Sequence, residues 1–575
     1  MRIVERSYDE ADRQALLRAG VHPVLARVYA GRRVHSADEL SEDTTKLFAP
    51  EMLANVGRAA TLLADTIAAK RRILIVADYD ADGATACAVG IRALRSLGAT
   101  VDYLVPDRFK LGYGLSPELV DLAAARTPDL LVTVDNGIAS VDGVARANAL
   151  GLATLITDHH LPGDQLPEAT CIVNPNQPGC SFPSKSLAGV GVMFYVMLAL
   201  RAELRARGAF RDAAEPNFGA LTDLVALGTV ADVVPLDANN RVLVAQGMKR
   251  LRAGRAKAGL NALLRVAGRA PARASAFDLG FVLGPRLNAA GRLADMGIGI
   301  ECLITDDEAR AANYAQTLDA LNRERRRIES EMLDEALGAL ETLLTTRDTP
   351  GAAAVFFEAG WHQGVVGILA ARLRERLHRP IICFARADSG TTGNVNPANP
   401  GLLRGSGRSI PGFHLRDCLD LVAKRAPGLI LRFGGHAQAA GLTLREADLA
   451  RFADLFERTA AELMPPGALA PIVETDGALD GAYLSLDVAQ LIERQIWGQG
   501  FPQPMFCDTF TVQNQRVVGE RHLKLKLMKD GHSYQAMRFG SLDPLPARAR
   551  AAYRLTVNEF NGLQSVQLNI EQVEA

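Results

Sequence analysis

The stretch Arg72-Ile73-Leu74-Ile75-Val76-Ala77-Asp78-Tyr79-Asp80-Ala81-Asp82-Gly83 joins an apolar run to a cluster of carboxylates. A short apolar run rich in β-branched residues reads as a strand buried on both faces, the kind found in parallel sheets. The pattern recurs twice. Leu130-Leu131-Val132-Thr133-Val134 ends in Asp135-Asn136-Gly137, and Leu152-Ala153-Thr154-Leu155-Ile156-Thr157 ends in Asp158-His159-His160. In an open α/β sheet the carboxyl ends of parallel strands form the ligand crevice. The three runs are therefore expected to bring several aspartates and two histidines to one place. Carboxylates gathered this way repel each other unless cations neutralise them. The pattern predicts a metal cluster, most simply a two-metal hydrolytic site.

Outward from these runs, 575 residues are too many for one core, and three or four domains are expected. A composition of 48% hydrophobic and 22% charged residues is ordinary for a globular chain. The net charge of -1 argues against indiscriminate binding of polyanions and leaves room for a local basic channel. The cysteines, seven in number and without a C-x-x-C pair, read as reduced thiols rather than a disulfide frame or zinc site. The apolar run from Leu187 to Leu200 is too short to span a bilayer and reads as a buried helix. The first residues show no signal-peptide core. A soluble cytoplasmic protein is expected.

Residues 1–55 read as a polar helical cap, and from 56 to 305 strand-like runs alternate with helical patterns, as in a parallel sheet. Residues 306–348 contain a long proline-poor helical pattern that would connect two domains. A second α/β region follows over 349–462. The segment Leu463-Met464-Pro465-Pro466-Gly467 reads as a linker. Over 463–575 the pattern turns to strands, with Leu523-Lys524-Leu525-Lys526-Leu527 alternating and Asn561-Gly562 marking a hairpin. A small closed barrel of the OB kind fits this tail.

Several motifs carry chemistry. Asp78-x-Asp80-x-Asp82-Gly83 has the opening spacing of a calcium loop but no glutamate at the twelfth position. Asp135 at a strand end reads as a metal ligand, bridging by its position between the other two clusters. Mixed carboxylate and imidazole ligation at Asp158-His159-His160 points to manganese or magnesium rather than structural zinc. In the nearly apolar stretch around Asp223 and Asp232 a carboxylate is not expected to stay unpaired. Asp232, beside Gly228 and Ala231, is the ligand candidate, and Asp223 the structural one. Two glycine-rich constellations look built for phosphate. Gly405-Ser406-Gly407-Arg408-Ser409 reads as a turn offering amides, hydroxyls and a guanidinium, and Gly434-Gly435-His436-Ala437 reads as a turn opening a small-residue helix. Arg286 and Arg292 lie among glycines and alanines that leave room for a ligand, so both read as substrate contacts. His362 in Trp361-His362-Gln363-Gly364 reads as structural.

The first-motif aspartates, Asp135-Asn136-Gly137, Asp158-His159-His160 and Gly228-Thr229-Val230-Ala231-Asp232 together resemble the DHH phosphoesterase superfamily. The two phosphate constellations resemble its DHH-associated domain. Asn239-Asn240-Arg241, Gly284 to Arg292, and Trp361 to Ile368 are similar to its bacterial single-strand-specific exonuclease branch. The resemblance implies an α/β fold: a parallel-sheet DHH catalytic domain over 56–305, a connecting helix over 306–348, and a second α/β DHH-associated substrate domain over 349–462. A C-terminal OB-like β-barrel over 463–575 completes it. It implies two divalent cations, Mn2+ or Mg2+, on Asp80, Asp82, Asp135, His159 and Asp232, with Asp135 bridging. The pattern departs at Val76, where many superfamily members carry histidine, and Asp78 stays open as a ligand or as a support. His160 and Arg286 are implied at the scissile phosphate. Arg108, Ser406, Arg408 and His436 are implied on the substrate, with Arg108, Ser406 and Arg408 at a terminal 5′ phosphate. The implied activity is 5′-to-3′ hydrolysis of single-stranded DNA to 5′-mononucleotides in recombination and repair. Implied partners are single-strand-binding protein and a RecQ-type helicase, with no membrane. Shorter phosphodiesterases of the superfamily lack the barrel, and a non-catalytic DNA-binding scaffold would have eroded acidic motifs.

Overall fold

The computed structural model describes residues 2–107, 111, 113–344, 351–387 and 401–574. The chain divides into two compact units. One comprises Ile3–Asp319 with the C-terminal segment from Val473, and the other Ala320–Ile472 with Arg2.

The chain opens on strand β1 (Arg2–Glu5) rather than on a helical cap. The helices Glu10–Arg18 and Pro23–Ala30 and three short 3-10 turns follow it. Then come β2 (Arg72–Ala77), β3 (Thr100–Leu104), β4 (Leu130–Val134), β5 (Ala153–Thr157) and β6 (Cys171–Val173). They form a parallel sheet of order β3-β2-β4-β5-β6. All of β4 and all but the first residue of β2 are buried, because helices cover both faces. On one face the helices Ala81–Ser96, Val56–Ala68 and Gly189–Ala206 pack together. The last of these holds the run expected to be a buried helix.

The register positions the chemistry. Ala77 pairs with Val134, and Val134 with Thr157, so Asp78, Asp135 and Asp158 follow at one edge of the sheet. Their amides extend the ladder, donating to the carbonyls of Val134, Thr157 and Val173 at 3.2, 3.0 and 3.2 Å.

A 37-residue helix, Glu308–Leu344, runs from the first unit into the second, as the uninterrupted pattern predicts. The second unit holds β7 (Ala354–Phe357), β8 (Ile381–Arg386), β9 (Leu402–Arg408), β10 (Arg432–Gly435) and β11 (Ala439–Arg445), in the order β10-β11-β9-β8-β7. Two expectations are corrected here. Gly405-Ser406-Gly407-Arg408 is not a turn but the central strand β9, whose backbone pairs with β8 and β11. Gly434-Gly435-His436-Ala437 opens no helix and forms the end of β10 and its turn into β11. Glycines serve there because ring and aliphatic groups press on the strand. A Cβ at Gly405 would lie 2.4 Å from Phe384, and one at Gly407 2.7 Å from Leu415.

Strand β12 (Ile472–Thr475) pairs with β1. Strands β13 (Phe506–Val518), β14 (His522–Lys529), β15 (His532–Arg538), β16 (Arg548–Phe560) and β17 (Leu563–Val573) close a barrel of order β13-β14-β15-β17-β16. Leu523, Leu525 and Leu527 fill its core while Lys526 faces out, which is the alternation read in the sequence. Among the described residues no helix is long and apolar enough to cross a membrane.

Candidate metal centre

The first carboxylates are fixed by helix ends. Asp80 caps the helix Ala81–Ser96, its Oδ1 accepting from the amides of Asp82 at 2.9 Å and Gly83 at 3.0 Å. Buried Asp82 accepts from the amides of Gly189 at 2.6 Å and Val190 at 2.9 Å, where the helix Gly189–Ala206 starts. Its charge is thus placed at the positive end of a second helix. Asn288 accepts from Ala81 N at 2.8 Å and ties this turn to the helix Gly284–Leu293.

Asp135 follows β4 in the left-handed region, with φ 63°, which turns its carboxylate back over the strand end. A Cβ at Gly189 would come within 2.6 Å of Asp135 Oδ1, so only glycine fits there. Asp232 follows the last residue of the helix Thr222–Ala231. His159 Nε2 lies 3.1 Å from Asp135 Oδ1, 3.5 Å from Asp232 Oδ2 and 3.9 Å from Asp82 Oδ2.

Three overlapping groups result: Asp78, Asp80 and Asp135; Asp135, His159 and His160; Asp82, His159 and Asp232. Within each, one potential ligand atom per residue lies within 4.8 Å of the others. Asp135 and His159 each belong to two groups. Of these two residues, Asp135 Oδ1 and His159 Nε2 are buried and have no hydrogen-bond partner.

The electrostatics suit cations. Burial, then the charge of Asp80, pushes Asp82 up to about 7. Burial and the neighbouring aspartates push Asp135 and Asp232 well above the usual carboxylate range. Burial, then the charge of His160, takes His159 down to about 4, which keeps its ring neutral with a lone pair to give. Crowded oxygen donors, a neutral nitrogen and two orphaned buried atoms aimed at each other are a donor set that divalent cations fit.

His160 differs from its neighbour. Its Nδ1 lies 2.7 Å from Asp158 Oδ1, and its ring is partly open to solvent. Burial opposes its charge, yet the bond to Asp158 and that carboxylate's charge hold it up at about 8. Asp158 is itself buried, and it accepts from Ile138 N at 2.9 Å, His159 N at 2.7 Å and His160 N at 3.1 Å. The Tyr113 hydroxyl stands 3.1 Å from His160 Nδ1 and 3.3 Å from Asp135 O. Neither the orienting part of Asp158 nor Tyr113 was read from the sequence. Asp158 stood inside a quoted motif, whereas nothing local marks Tyr113.

The remaining candidates lie elsewhere. Asp223 is buried in its helix and accepts from the amides of Leu224 and Lys257, a structural post as expected. Arg286 is not presented openly, since its guanidinium is bound to Asp319 at 2.9 Å and to the Val282 carbonyl at 2.6 Å. The space its glycines leave is filled by protein. A Cβ at Gly291 would lie 1.9 Å from Tyr79 O. Arg292 is half-buried near the end of the same helix. In the second unit, Arg408 Nη1 donates to Ser406 Oγ at 3.1 Å. A Cβ at Gly367, near the start of the helix Val366–Leu377, would lie 3.0 Å from that hydroxyl and 3.2 Å from Arg408 Nη2. A hydroxyl, a guanidinium and a helix N-terminus thus share one spot. Burial, then Arg374, lowers the Arg408 pKa. His436 sits exposed in the turn after β10. Arg108 lies outside the described residues.

Three family models match the chain. The DHH family N-terminal domain matches residues 72–229, the DHHA1 domain 349–462 and the RecJ OB domain 475–572. The Escherichia coli single-stranded-DNA-specific exonuclease RecJ is 48% identical, over 98% of each chain. The Haemophilus influenzae protein of that name is 43% identical, over 96% of each chain. The crystal structure of Thermus thermophilus RecJ in complex with Mn2+ superposes with a TM-score of 0.82 at 28% identity. That match covers 100% of this chain and 79% of the other. The strand-end carboxylates, the sheet that carries Ser406 and Arg408, and the closed barrel therefore have a common family source: the chain belongs to the RecJ family, with DHH, DHHA1 and RecJ OB domains in that order.

Proposed function

We propose that this chain is an exonuclease specific for single-stranded DNA, using two divalent cations, manganese or magnesium. The observation that carries the reading is the shared pair Asp135 and His159, whose unpartnered buried atoms lie 3.1 Å apart at the junction of the acidic groups. The named activity of the relatives and the Mn2+ and Mg2+ in the Thermus structures support it.

Asp80, Asp82, Asp135, His159 and Asp232 would hold the cations, with Asp78 beside them. Such cations lower the pKa of a bound water and stabilise charge on phosphoryl oxygens. The chain's own groups do the rest. Protonated His160, oriented by Asp158, stabilises the phosphate and has a proton to give the departing oxygen. The Tyr113 hydroxyl meets the same ring. Arg286 acts as a positioning residue, fixing the helix Gly284–Leu293 to Asp319. Ser406, Arg408 and the helix start beside them bind a terminal 5′ phosphate, and His436 is a further substrate contact. An enzyme that takes a strand by its terminal 5′ phosphate degrades it 5′-to-3′ and releases 5′-mononucleotides. An enzyme of this chemistry works in the cytoplasm on strands met in recombination and repair. Its natural partners there are single-strand-binding protein and a RecQ-type helicase.

The test uses the full chain on 5′- and 3′-labelled single strands and duplexes, with Mn2+, Mg2+ or chelator. Mononucleotides released from the 5′ end of single strands, only with metal, are expected. Degradation that persists in chelator, or that favours duplex, would overturn the reading.

A further inference from the structure

Phe277 and Phe281 stack on each other at the protein surface, with ring centroids 4.8 Å apart and planes 21° from parallel. They are 58% and 64% exposed. Two large rings left together in water oppose the drive to bury apolar surface, and such patches mark contact sites. Their backbone is unusual too. Asp278–Leu283 is a π-helical turn that runs into the helix Gly284–Leu293, and π turns recur at functional sites. Asp278 pins its start, accepting from the Ser275 amide at 2.8 Å and hydroxyl at 2.9 Å.

The inner side of this turn presses on the chain that carries Asp232. A Cβ at Gly280 would lie 3.1 Å from Val230, and one at Gly284 3.0 Å from Ala231. Beyond Asp232, Val233 is 59% exposed and held at φ 62°, a strained setting for a β-branched residue. The turn that carries the two rings therefore packs against the helix end that leads directly to Asp232. On its other side Arg273 pairs with Glu559, next to the exposed barrel hairpin of Phe560 and Leu563. All of these residues belong to one compact unit.

We propose that Phe281 and Phe277 form a stacking platform for nucleobases of the single strand close to the scissile phosphate. The inference rests on the exonuclease reading and adds a specificity element to it. Bases in a single strand have free π faces and stack on aromatic rings whatever their identity. Bases in a duplex keep their faces inside the helix, so the platform rewards single strands and is indifferent to sequence. An apolar peptide of a protein partner is the competing occupant.

The test pairs base deletion with ring deletion in the full chain. Single strands of identical sequence carry one abasic site at successive positions from the 5′ end. The apparent KM of each is measured for the unaltered protein, Phe281→Ala, Phe281→Leu and Phe277→Ala. One or two adjacent positions should show a loss of roughly 5- to 150-fold in the unaltered protein. That loss should vanish in Phe281→Ala and in Phe281→Leu, which keeps apolar bulk without a ring, while undamaged strands bind these variants more weakly. Because each variant is compared with itself across substrates, a folding defect cannot imitate the result. If the unaltered protein hydrolyses single strands but every abasic position gives the same loss with and without the Phe281 ring, the platform is refuted. If the unaltered protein does not hydrolyse single strands, the exonuclease reading falls first and the platform with it.

Discussion

Asp158 holds His160 by ring and by backbone. Its Oδ1 lies 2.7 Å from His160 Nδ1 and accepts from His160 N at 3.1 Å. The adjacent histidines thus differ in charge, His159 kept neutral and His160 kept charged, as their proposed roles on a metal and at a phosphate require. The His160 pKa is raised from 6.5 to about 8, so the stability this pair contributes is complete below pH 6.5 and lost as pH rises through about 8. NMR titration of the metal-free protein should find His160 changing charge near 8. Asp158→Asn should bring that midpoint below 6.5 and slow hydrolysis by about 10- to 100-fold, the usual loss when an orienting partner is removed. An unchanged midpoint would mean that Asp158 does not set the charge of His160.

The carboxylates give a second pH signature, of opposite chemistry and the same direction. Folding raises Asp82 from 3.8 to about 7, and burial beside the other aspartates also raises Asp135 and Asp232 well above the usual carboxylate range. A carboxyl group raised by folding destabilises the fold as pH climbs from its ordinary to its raised value. Metal-free protein should therefore melt at a lower temperature at pH 8 than at pH 6. Saturating Mn2+ should flatten the difference, because the cation takes the place of the protons. Calorimetry with and without chelator measures both. Parallel melting curves in the two conditions would show that the cluster binds no cation.

Asp135→Ala removes the carboxylate shared between groups. Hydrolysis should be lost by several kcal/mol of transition-state stabilisation, whereas the metal-free fold should keep or gain stability, since a buried like charge is gone. Turnover and melting temperature in chelator separate the two effects. Near-normal turnover would rule out Asp135 as the shared ligand.

What could be read from the sequence was local and periodic. Ile73, Val132 and Leu155 announce buried strands, and because parallel strands end at one edge, Asp78, Asp135 and Asp158 could be placed together before any contact was known. The length of the helix through Asn322 and Arg323 was legible for the same reason. What stayed hidden depends on distant partners. Strand β1 is completed by β12, at the far end of the chain. Gly405 and Gly407 looked like turn residues, yet they make room for Phe384 and Leu415 within a sheet. Glycines around Arg286 suggested a ligand, and they accommodate Tyr79 and Ala231 instead. A glycine reports that something approaches closely, and only the fold says what.

The phosphate spot in the second unit can be tested through its guanidinium. Arg408 is half-buried, is bound to Ser406 and lies beside the start of the helix Val366–Leu377. Arg408→Ala should raise the apparent KM for 5′-phosphorylated strands and narrow their advantage over 5′-hydroxyl strands by roughly 1.5–3 kcal/mol, the range for a hydrogen bond to a charged group. Both substrates are compared because misfolding would depress them equally. A mutant with the full preference for the phosphorylated end would return Arg408 to a packing role.

The barrel calls for a gentler change than its removal. Arg32 and Asp476 form a buried ion pair at 2.6 Å, and Leu236 N donates to Gln499 O at 2.8 Å, four residues from Asp232. Deleting the C-terminal segment would orphan Arg32 and loosen the backbone that leads to Asp232. Charge on the barrel surface can be altered without touching that interface. Lys526 is exposed and Lys524 half-exposed on β14, between leucines that fill the core. A lysine on such a face binds a backbone phosphate by releasing a counterion, and each contact contributes about 0.7 to the slope of log affinity against log salt for a single strand. The double variant Lys524→Gln, Lys526→Gln should therefore bind long single strands more weakly and lower that slope by about 1.4. Turnover of strands too short to reach the barrel should be unchanged. Equal slopes for variant and unaltered protein would mean that this face of the barrel does not track the strand, and that the path of the DNA over the barrel lies on another side.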